Sequence, residues 1–494
     1  VGLTGDANSI AFSGMENING NDLVDTVNIN ASGSLQSLST GNGDDVITIV
    51  DNNSVQGLID GGAGSDTVTL TTASDLTITL GTDVDNVEFL NAGAGNNTLI
   101  GANNTGNTWT IDGTNHRVTD DSALTTVFTN FATLTAGTGG DDFTVSVAGI
   151  NTINGNSGDD SFTLDTVGLV SLIEGGAGTD TLSIINGNSI WTVDQTGNGN
   201  VVVDGAPGTR TDFTLIETRV GSATGTDSID LTSFGNAVIM LANYLNFDNI
   251  IGNVLGTLQG VDGQQNDWSI TGADSGSVLV GGNTTNFSGF GNLLGGNGID
   301  NFVIENGGSI SGLIDGGLGT NSLTSNNNAA NTWTLSSLYS GDLNGTNFAN
   351  MQSLIGNSAV SDTLIGINQD NDWQVTGSNS GTVGAQGAGT SVAFSGMENL
   401  TGHDGADNFT VADGGSISGT IDGGNGSNQL TSNNSAANDW VLTALYGGTL
   451  NGNAFSNIQT IIGNSAVSDT LTGINQNNDW QISGVNIGTV GAQG

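Results

Sequence analysis

The chain has 494 residues, with 81 glycines, one proline and no cysteine, and 48 Asp and Glu against three Lys and Arg give it a net charge of -45. A surface of that sign repels phosphate and anionic lipid and offers no basic patch to a nucleic acid. Without cysteine there is no disulfide framework, and no apolar run approaches the ~18 residues of a membrane-spanning helix.

The first recognisable element is SIAFSGMENING at 9–20. It is followed by a glycine-aspartate turn, TGNGDDVI at 40–47, and by a closer match to G-G-x-G-x-D-x-(apolar), GGAGSDTV at 61–68. Each turn leads into a segment in which apolar residues alternate with Thr or Ser, such as DTVTLTT at 66–72. Alternation of this kind predicts a half-buried strand. Glycine suits the tight corner because it accepts positive φ, and Asp or Asn can bond its own backbone there.

Further along, NTWTI at 107–111 introduces a second strand type, built around a tryptophan. Its relatives are NDWSI (266–270), NTWTL (331–335), NDWQV (371–375), NDWVL (438–442) and NDWQI (478–482). These strands fall about half a period from the glycine-aspartate turns, which predicts that they lie on the opposite side of a coil. Apolar residues alternate after the tryptophan, so its ring is expected in the core rather than on a sugar-binding face. His116 and Arg117, in the polar stretch GTNHRVTDD, read as solvated surface residues.

Turns recur as AGTGGDDF (136–143), GNSGDDSF (155–162) and GGAGTDTL (175–182). The stretch 195–262 is less regular and holds Pro207, Arg210 and Arg219. Beyond it come GGNGIDNF (295–302) and TGHDGADNF (401–409). His403 in the latter aligns with Gly296, so it reads as part of a turn rather than a catalytic group. The end of the chain is an explicit duplication. Residues 285–387 align without a gap on 392–494, so that Phe287 maps to Phe394 and Trp333 to Trp440, a shift of 107. Long repeats therefore cover 285–391 and 392–494, with diverged copies over 1–284. VGLTG at 1–5 and VGAQG at 490–494 occupy the same phase, so the chain is expected to be an internal segment of a longer array.

Key acids stand about one short period apart, from Asp45 to Asp66 and from Asp141 through Asp160 to Asp180. A unit of ~20 residues buries its apolar face only by stacking on its neighbours. The expected fold is all-β: a single right-handed parallel β-solenoid over 1–494, with about 20–21 residues per coil and roughly 23 coils. One proline suits nearly continuous ladder bonding, because proline cannot donate.

The turn sequence resembles the nonapeptide repeat G-G-x-G-x-D-x-U-x of the RTX (repeats-in-toxin) family. The matching residues are Gly61, Gly62, Gly64 and Asp66; Gly175, Gly176, Gly178 and Asp180; and Gly295, Gly296, Gly298 and Asp300. The resemblance implies Ca²⁺ held between successive turns of a secreted bacterial protein, with Asp45, Asp141, Asp160 and Asp407 as further ligands. Carboxylates and exposed carbonyls are suitable ligands for that ion. RTX motifs run in tandem every nine residues, whereas these occur about once per 20, and Asn97, Asn321 and Asn428 replace the acid in places. The wider W-x-h-x-G, F-S-G-h-E-N and I-D-G-G-x-G pattern resembles the repeat arrays of giant bacterial surface and adhesin-type proteins.

Together these features predict a non-enzymatic structural segment of a secreted or cell-surface repeat protein: an adhesin stalk, a biofilm-matrix component or a filament subunit. Its expected partners are divalent cations and further copies of itself, head to tail or laterally. The competing expectation is a β-helix that binds or degrades polysaccharide.

Overall fold

A computed structural model describes residues 10, 12–50, 55–103, 106–113, 115–203 and 206–493. Among them the protein is nearly all strand, with no α-helix and two single-turn 3-10 segments, Thr232–Phe234 and Leu241–Asn243. The chain divides into two compact units. The first is Val1–Ser233 with Asn243–Ile250, and the second is Phe234–Ala242 with Ile251–Gly494.

In the first unit, strands Thr26–Ile29, Val46–Ile49, Thr67–Leu70 and Phe89–Asn91 pair in parallel, one on the next. The register sets like on like: Val27 pairs with Ile47, Ile47 with Val68 and Val68 with Leu90. Their side chains point to the same face of the column, so each layer covers the apolar row of the last. Ile47, Val68 and Leu90 are fully buried as a result. After an interruption the column continues through Asp142–Val145, Ser161–Leu164 and Thr181–Ile184, again in parallel.

The interruption is the feature that the spacing did not predict. Trp109 lies in strand Thr108–Ile111, which pairs antiparallel with His116–Thr119, which pairs antiparallel with Thr125–Thr129. The third strand of this meander joins Phe89–Asn91 in parallel, and the first carries Asp142–Val145 in parallel. The meander is thus an insertion that leaves the column unbroken. The second unit repeats the arrangement with Trp268, Trp333, Trp373 and Trp440 at the start of four meanders. A layer therefore has no single length: corner-to-corner steps are 19–21 residues where the chain runs plainly. The step rises to 31–36 where a meander intervenes.

The tryptophan strand consequently lies in the same column as the glycine-aspartate strands, not opposite them. Trp109 stacks on Phe143 at 5.2 Å and 11°, Trp268 on Phe302 at 5.5 Å and 8°, and Trp373 on Phe409 at 5.3 Å and 16°. Each also meets, edge to face, a phenylalanine of its own meander's third strand: Phe128, Phe287 and Phe394 respectively. Six of the seven tryptophans are buried, while Trp480 is 44% exposed. The core expectation holds for those six.

The stretch 195–262 begins within another meander, opened just before it by Trp191 in strand Ser189–Val193 and closed by Ala206–Thr214. Arg219 is buried beneath it, 5.3 Å from the Phe213 ring, and donates to the carbonyls of Gly197 and Ile216. Burial lowers its affinity for the proton. His116 corrects the sequence reading. It is buried against Phe128, with ring centroids 5.6 Å apart, and desolvation holds its pKa below the ordinary value. It points inward because it alternates with half-exposed Arg117, which pairs with Asp112 at 2.8 Å.

Candidate functional site

The residues singled out by sequence converge on one structural feature: a column of buried corners that accompanies each strand column. Asp45, Asp66, Asp141, Asp160, Asp180, Asp300 and Asp407 are all essentially inaccessible. Each carboxylate reaches back one layer, where its Oδ1 accepts from the equivalent corner residue: a backbone N–H in every case but Asp300, which accepts the Asn266 side-chain amide at 2.6 Å. Asp66 accepts from Asp45 at 2.7 Å, Asp160 from Asp141 at 2.7 Å and Asp180 from Asp160 at 2.9 Å. Asp407 accepts from both the backbone and the side-chain amide of Asn371, at 2.9 and 2.7 Å. These backbone donors sit at or just before the start of a strand, and buried donors need a partner.

The Asn of N-x-W occupies the same corner position. Asn107 precedes Asp141, Asn331 precedes Asp362 and Asn438 precedes Asp469 in the hydrogen-bond series. The sequence reading missed this equivalence because the meander hides it in the spacing. It also missed how a run of corners ends. Glu88 accepts the N–H of Asp66, Glu217 that of Asp180, and Glu398 that of Asp362, at 2.7, 2.8 and 2.9 Å. Gln352 and Gln459 do the same for Asn321 and Asn428. Glu217, Gln352, Glu398 and Gln459 each follow the third strand of a meander, and Glu88 follows the short strand Val84–Asp85; in each place the chain re-enters the column without a glycine corner. The longer side chain spans the extra distance. The recurring F-S-G-h-E-N pattern was the available signal for Glu398.

Two glycines show what the corner demands. Gly62 has φ +91°, and a Cβ there would lie 1.8 Å from the carbonyl oxygen of Gly41. Gly402 has ordinary φ, but a Cβ would stand 2.3 Å from Oδ2 of Asp407. Gly61, Gly175 and Gly295 meet Asp66, Asp180 and Asp300 in the same way. Gly64, Gly176, Gly178 and Gly298 lie on the outer side of the corner, where any side chain would strike the neighbouring layer's backbone or, at Gly296, the Asp262 carboxylate. His403 occupies such a position with φ +84°, and its Nδ1 accepts the N–H of Asp404 at 2.9 Å.

This arrangement does not fit the calcium role that the RTX resemblance implies. A shared ion needs six to eight oxygens converging at 2.3–2.6 Å. Here the corner carboxylates point into the corner and spend Oδ1 on backbone or side-chain amides. The corner glycines leave too little room beside Oδ2 even for a Cβ, which would stand 2.3 Å from it at Gly402 and 2.4 Å at Gly295. Among the described residues, no group of three or more His, Asp or Glu side chains is placed to hold a metal ion. A stacking platform for sugars is likewise not formed by the six buried tryptophans.

The outward-facing acids and amides form a second, exposed series. Asp44 accepts from the Ser65 N–H, Asp159 from the Thr179 N–H and Asp370 from the Ala406 N–H, at 2.8–2.9 Å. Asn42 donates to Asp22 and Asn425 to Asp404. Both series join one layer to the next. No protein-family model matches the chain, and no curated protein matches it in sequence.

Proposed function

We propose that the chain is a structural segment of a secreted or cell-surface repeat protein, with each of its two units wound as a right-handed parallel β-solenoid. The observation that carries this reading is the fate of the recurrent polar residues. The Asp, Asn and Glu that mark every repeat are consumed in bonds between layers rather than presented in a cleft. A sequence that spends its recurrent chemistry on stacking is built for length and stiffness, since each repeat contacts only its neighbours. The excess of 48 acids over three basic residues keeps such a surface soluble and free of nucleic acid. Adhesin stalks, biofilm matrix and extracellular filaments are the settings this suits.

Single-molecule stretching tests the proposal. Layers should unravel in steps, with about 70 Å of contour released by a 20-residue layer and about 120 Å by one carrying a meander. Specific glycan binding, or release of reducing sugar from a polysaccharide panel, would overturn the structural reading in favour of a carbohydrate-active one.

A further inference from the structure

The corner aspartates fall into two groups that differ in what faces Oδ2. At Asp227, Asp362 and Asp469 the turn before the acid is one residue longer. It delivers a backbone N–H to Oδ2, from Ser222, Asn357 and Asn464 at 2.6–2.7 Å. These carboxylates accept on both oxygens, as an ionised group should. At Asp66, Asp160, Asp180, Asp300 and Asp407, as at Asp45, Oδ2 is buried without a hydrogen-bond partner; Asp141, after the same short turn but with Ala136 in the glycine's place, instead accepts the Gly137 N–H on Oδ2 at 3.1 Å. What lies beside Oδ2 in the first five is an acceptor. A Cβ built on Gly402 would be 2.3 Å from Oδ2 of Asp407 and 2.4 Å from the carbonyl oxygen of Gly423. On Gly295 it would be 2.4 Å from Oδ2 of Asp300 and 2.6 Å from the Gly316 carbonyl oxygen.

The next layer shows what this geometry is for. Asn428 follows Asp407 in the same column, and a Cβ on Gly423 would lie 2.4 Å from its Nδ2 and 2.3 Å from the Asn457 carbonyl oxygen. Asn321 follows Asp300, with corresponding distances of 2.5 and 2.6 Å to its Nδ2 and the Asn350 carbonyl oxygen. In both cases Nδ2 donates to that carbonyl, at 3.0 and 3.1 Å. Oδ2 of the aspartate occupies the place of the asparagine's donor. Two acceptors cannot satisfy each other in a dry corner, and an ionised oxygen there would carry a large uncompensated desolvation cost.

We propose that Asp66, Asp160, Asp180, Asp300 and Asp407 are held as neutral carboxylic acids that act as asparagine equivalents. In each, Oδ1 accepts from the preceding layer, a backbone N–H in four and the Asn266 side-chain amide at Asp300, and the proton on Oδ2 is donated to a backbone carbonyl of the following layer. The charged groups around them are acidic apart from Arg219, in the strand paired with Thr181–Ile184, whose guanidinium is bound to the Gly197 and Ile216 carbonyls. Asp66 is faced by Asp45, Glu88 and Asp44, Asp160 by Asp141, Asp180 and Asp159, and Asp180 by Glu217 and Asp159. Asp300 is faced by Asp262 and Asp267, and Asp407 by Asp370. Burial, the largest influence on all five, pushes Asp160 up to about 7 and Asp407 up to about 6, and raises the other three. Asp45 is outside the set, because Thr40 stands in the glycine's place and its hydroxyl donates to the Gly61 carbonyl at 2.8 Å. The protein thereby carries a proton-binding site in many of its corners, and rising pH empties it. This inference rests on the strand columns alone, so it does not stand or fall with the structural function.

The test uses the full chain, its Asp160→Asn/Asp407→Asn double variant and Asp362→Asn as the control. Infrared difference spectra at pH 5, where an ordinary aspartate (3.8) is ionised, should show two carboxylic-acid groups in the wild type that the double variant lacks. Asp362→Asn should remove none. Thermal melts should show the double variant losing part of the wild-type drop in Tm between pH 5 and pH 8, because its amides donate at both. That comparison separates the corners from the general self-repulsion of an acidic chain, which both proteins share. Infrared spectra with no carboxylic-acid difference, or a double variant that keeps the whole wild-type pH dependence, would overturn the proposal. Repeating the melts with EGTA distinguishes a proton from calcium: loss of the variant's difference on chelation would assign the site to the metal.

Discussion

Removing the side chain of Glu398 should unseat the corner of the layer before it. Glu398 is 9% exposed and Asp362 is fully buried. Oε2 of Glu398 accepts the Asp362 N–H at 2.9 Å, and Oε1 accepts Asn379 Nδ2 at 2.9 Å. In Glu398→Ala the Asp362 amide is left buried and unpaired. Asn379 keeps a partner in Ser418 Oγ at 3.0 Å, so only one donor is orphaned. A hydrogen bond to a charged group contributes about 1.5–3 kcal/mol, and an orphaned buried donor costs about 1–3 kcal/mol. The two figures describe overlapping losses, which places Glu398→Ala near 2–3 kcal/mol. Glu398→Gln should cost under about 1 kcal/mol, because Gln352 and Gln459 already fill this role for Asn321 and Asn428. The assay is urea unfolding followed by tryptophan fluorescence, with amide hydrogen exchange at Asp362 to establish that the loss is local. If the alanine and glutamine variants lose equal stability, or Asp362 exchange is unchanged in Glu398→Ala, the acceptor role assigned to Glu398 is wrong.

Trp373→Ala removes a ring stacked on Phe409 and set edge-on to Phe394, and should cost about 3–5 kcal/mol by the same unfolding assay. Gly402→Ala places a methyl 2.3 Å from Oδ2 of Asp407 and 2.4 Å from a backbone oxygen. It should destabilise by about 1–3 kcal/mol, whereas alanine at Gly414, where the positive φ of 78° is the only obstacle and nothing lies within 4 Å, should cost less. Stability should also depend on pH. The folded state retains protons at Asp160 and Asp407 up to about 7 and 6, while the unfolded chain releases them near 3.8. The folded state therefore binds more protons across that window, and stability is greatest below about pH 4 and declines as pH rises to 7. Each unit of pKa difference is worth about 1.4 kcal/mol, and a Tm that rises from pH 5 to pH 8 would contradict the sign. EGTA should leave the wild-type Tm unchanged, because the corner carboxylates do not converge on an ion; a clear drop would restore the calcium reading.

Much of this protein is legible in its sequence because its order is short-range and repeated. Alternation in DTVTLTT and DDFTVSV places every second side chain inward wherever the strand lies. Glycine at 62 and His403 in an equivalent turn mark backbone conformations that do not depend on distant partners. The burial of Trp109 or Trp373 follows from the same alternation. Pairing between layers was not legible. Trp109 and Phe143 are 34 residues apart, and only the antiparallel excursion through His116 and Phe128 brings them into adjacent rows. A uniform period of about 21 therefore put the tryptophan strands on the wrong side. His116 looked solvated in its polar stretch because its neighbours in sequence are not its neighbours in the column. The chemistry of the corners was likewise decided in three dimensions. Asp362 and Asp407 are the same residue type after similar turns, yet the backbone brings Asp362 an N–H from Asn357 while Asp407 meets a carbonyl. Residue type and period fixed which side chains enter the corners; the stacking of one layer on the next determined what each of them finds there.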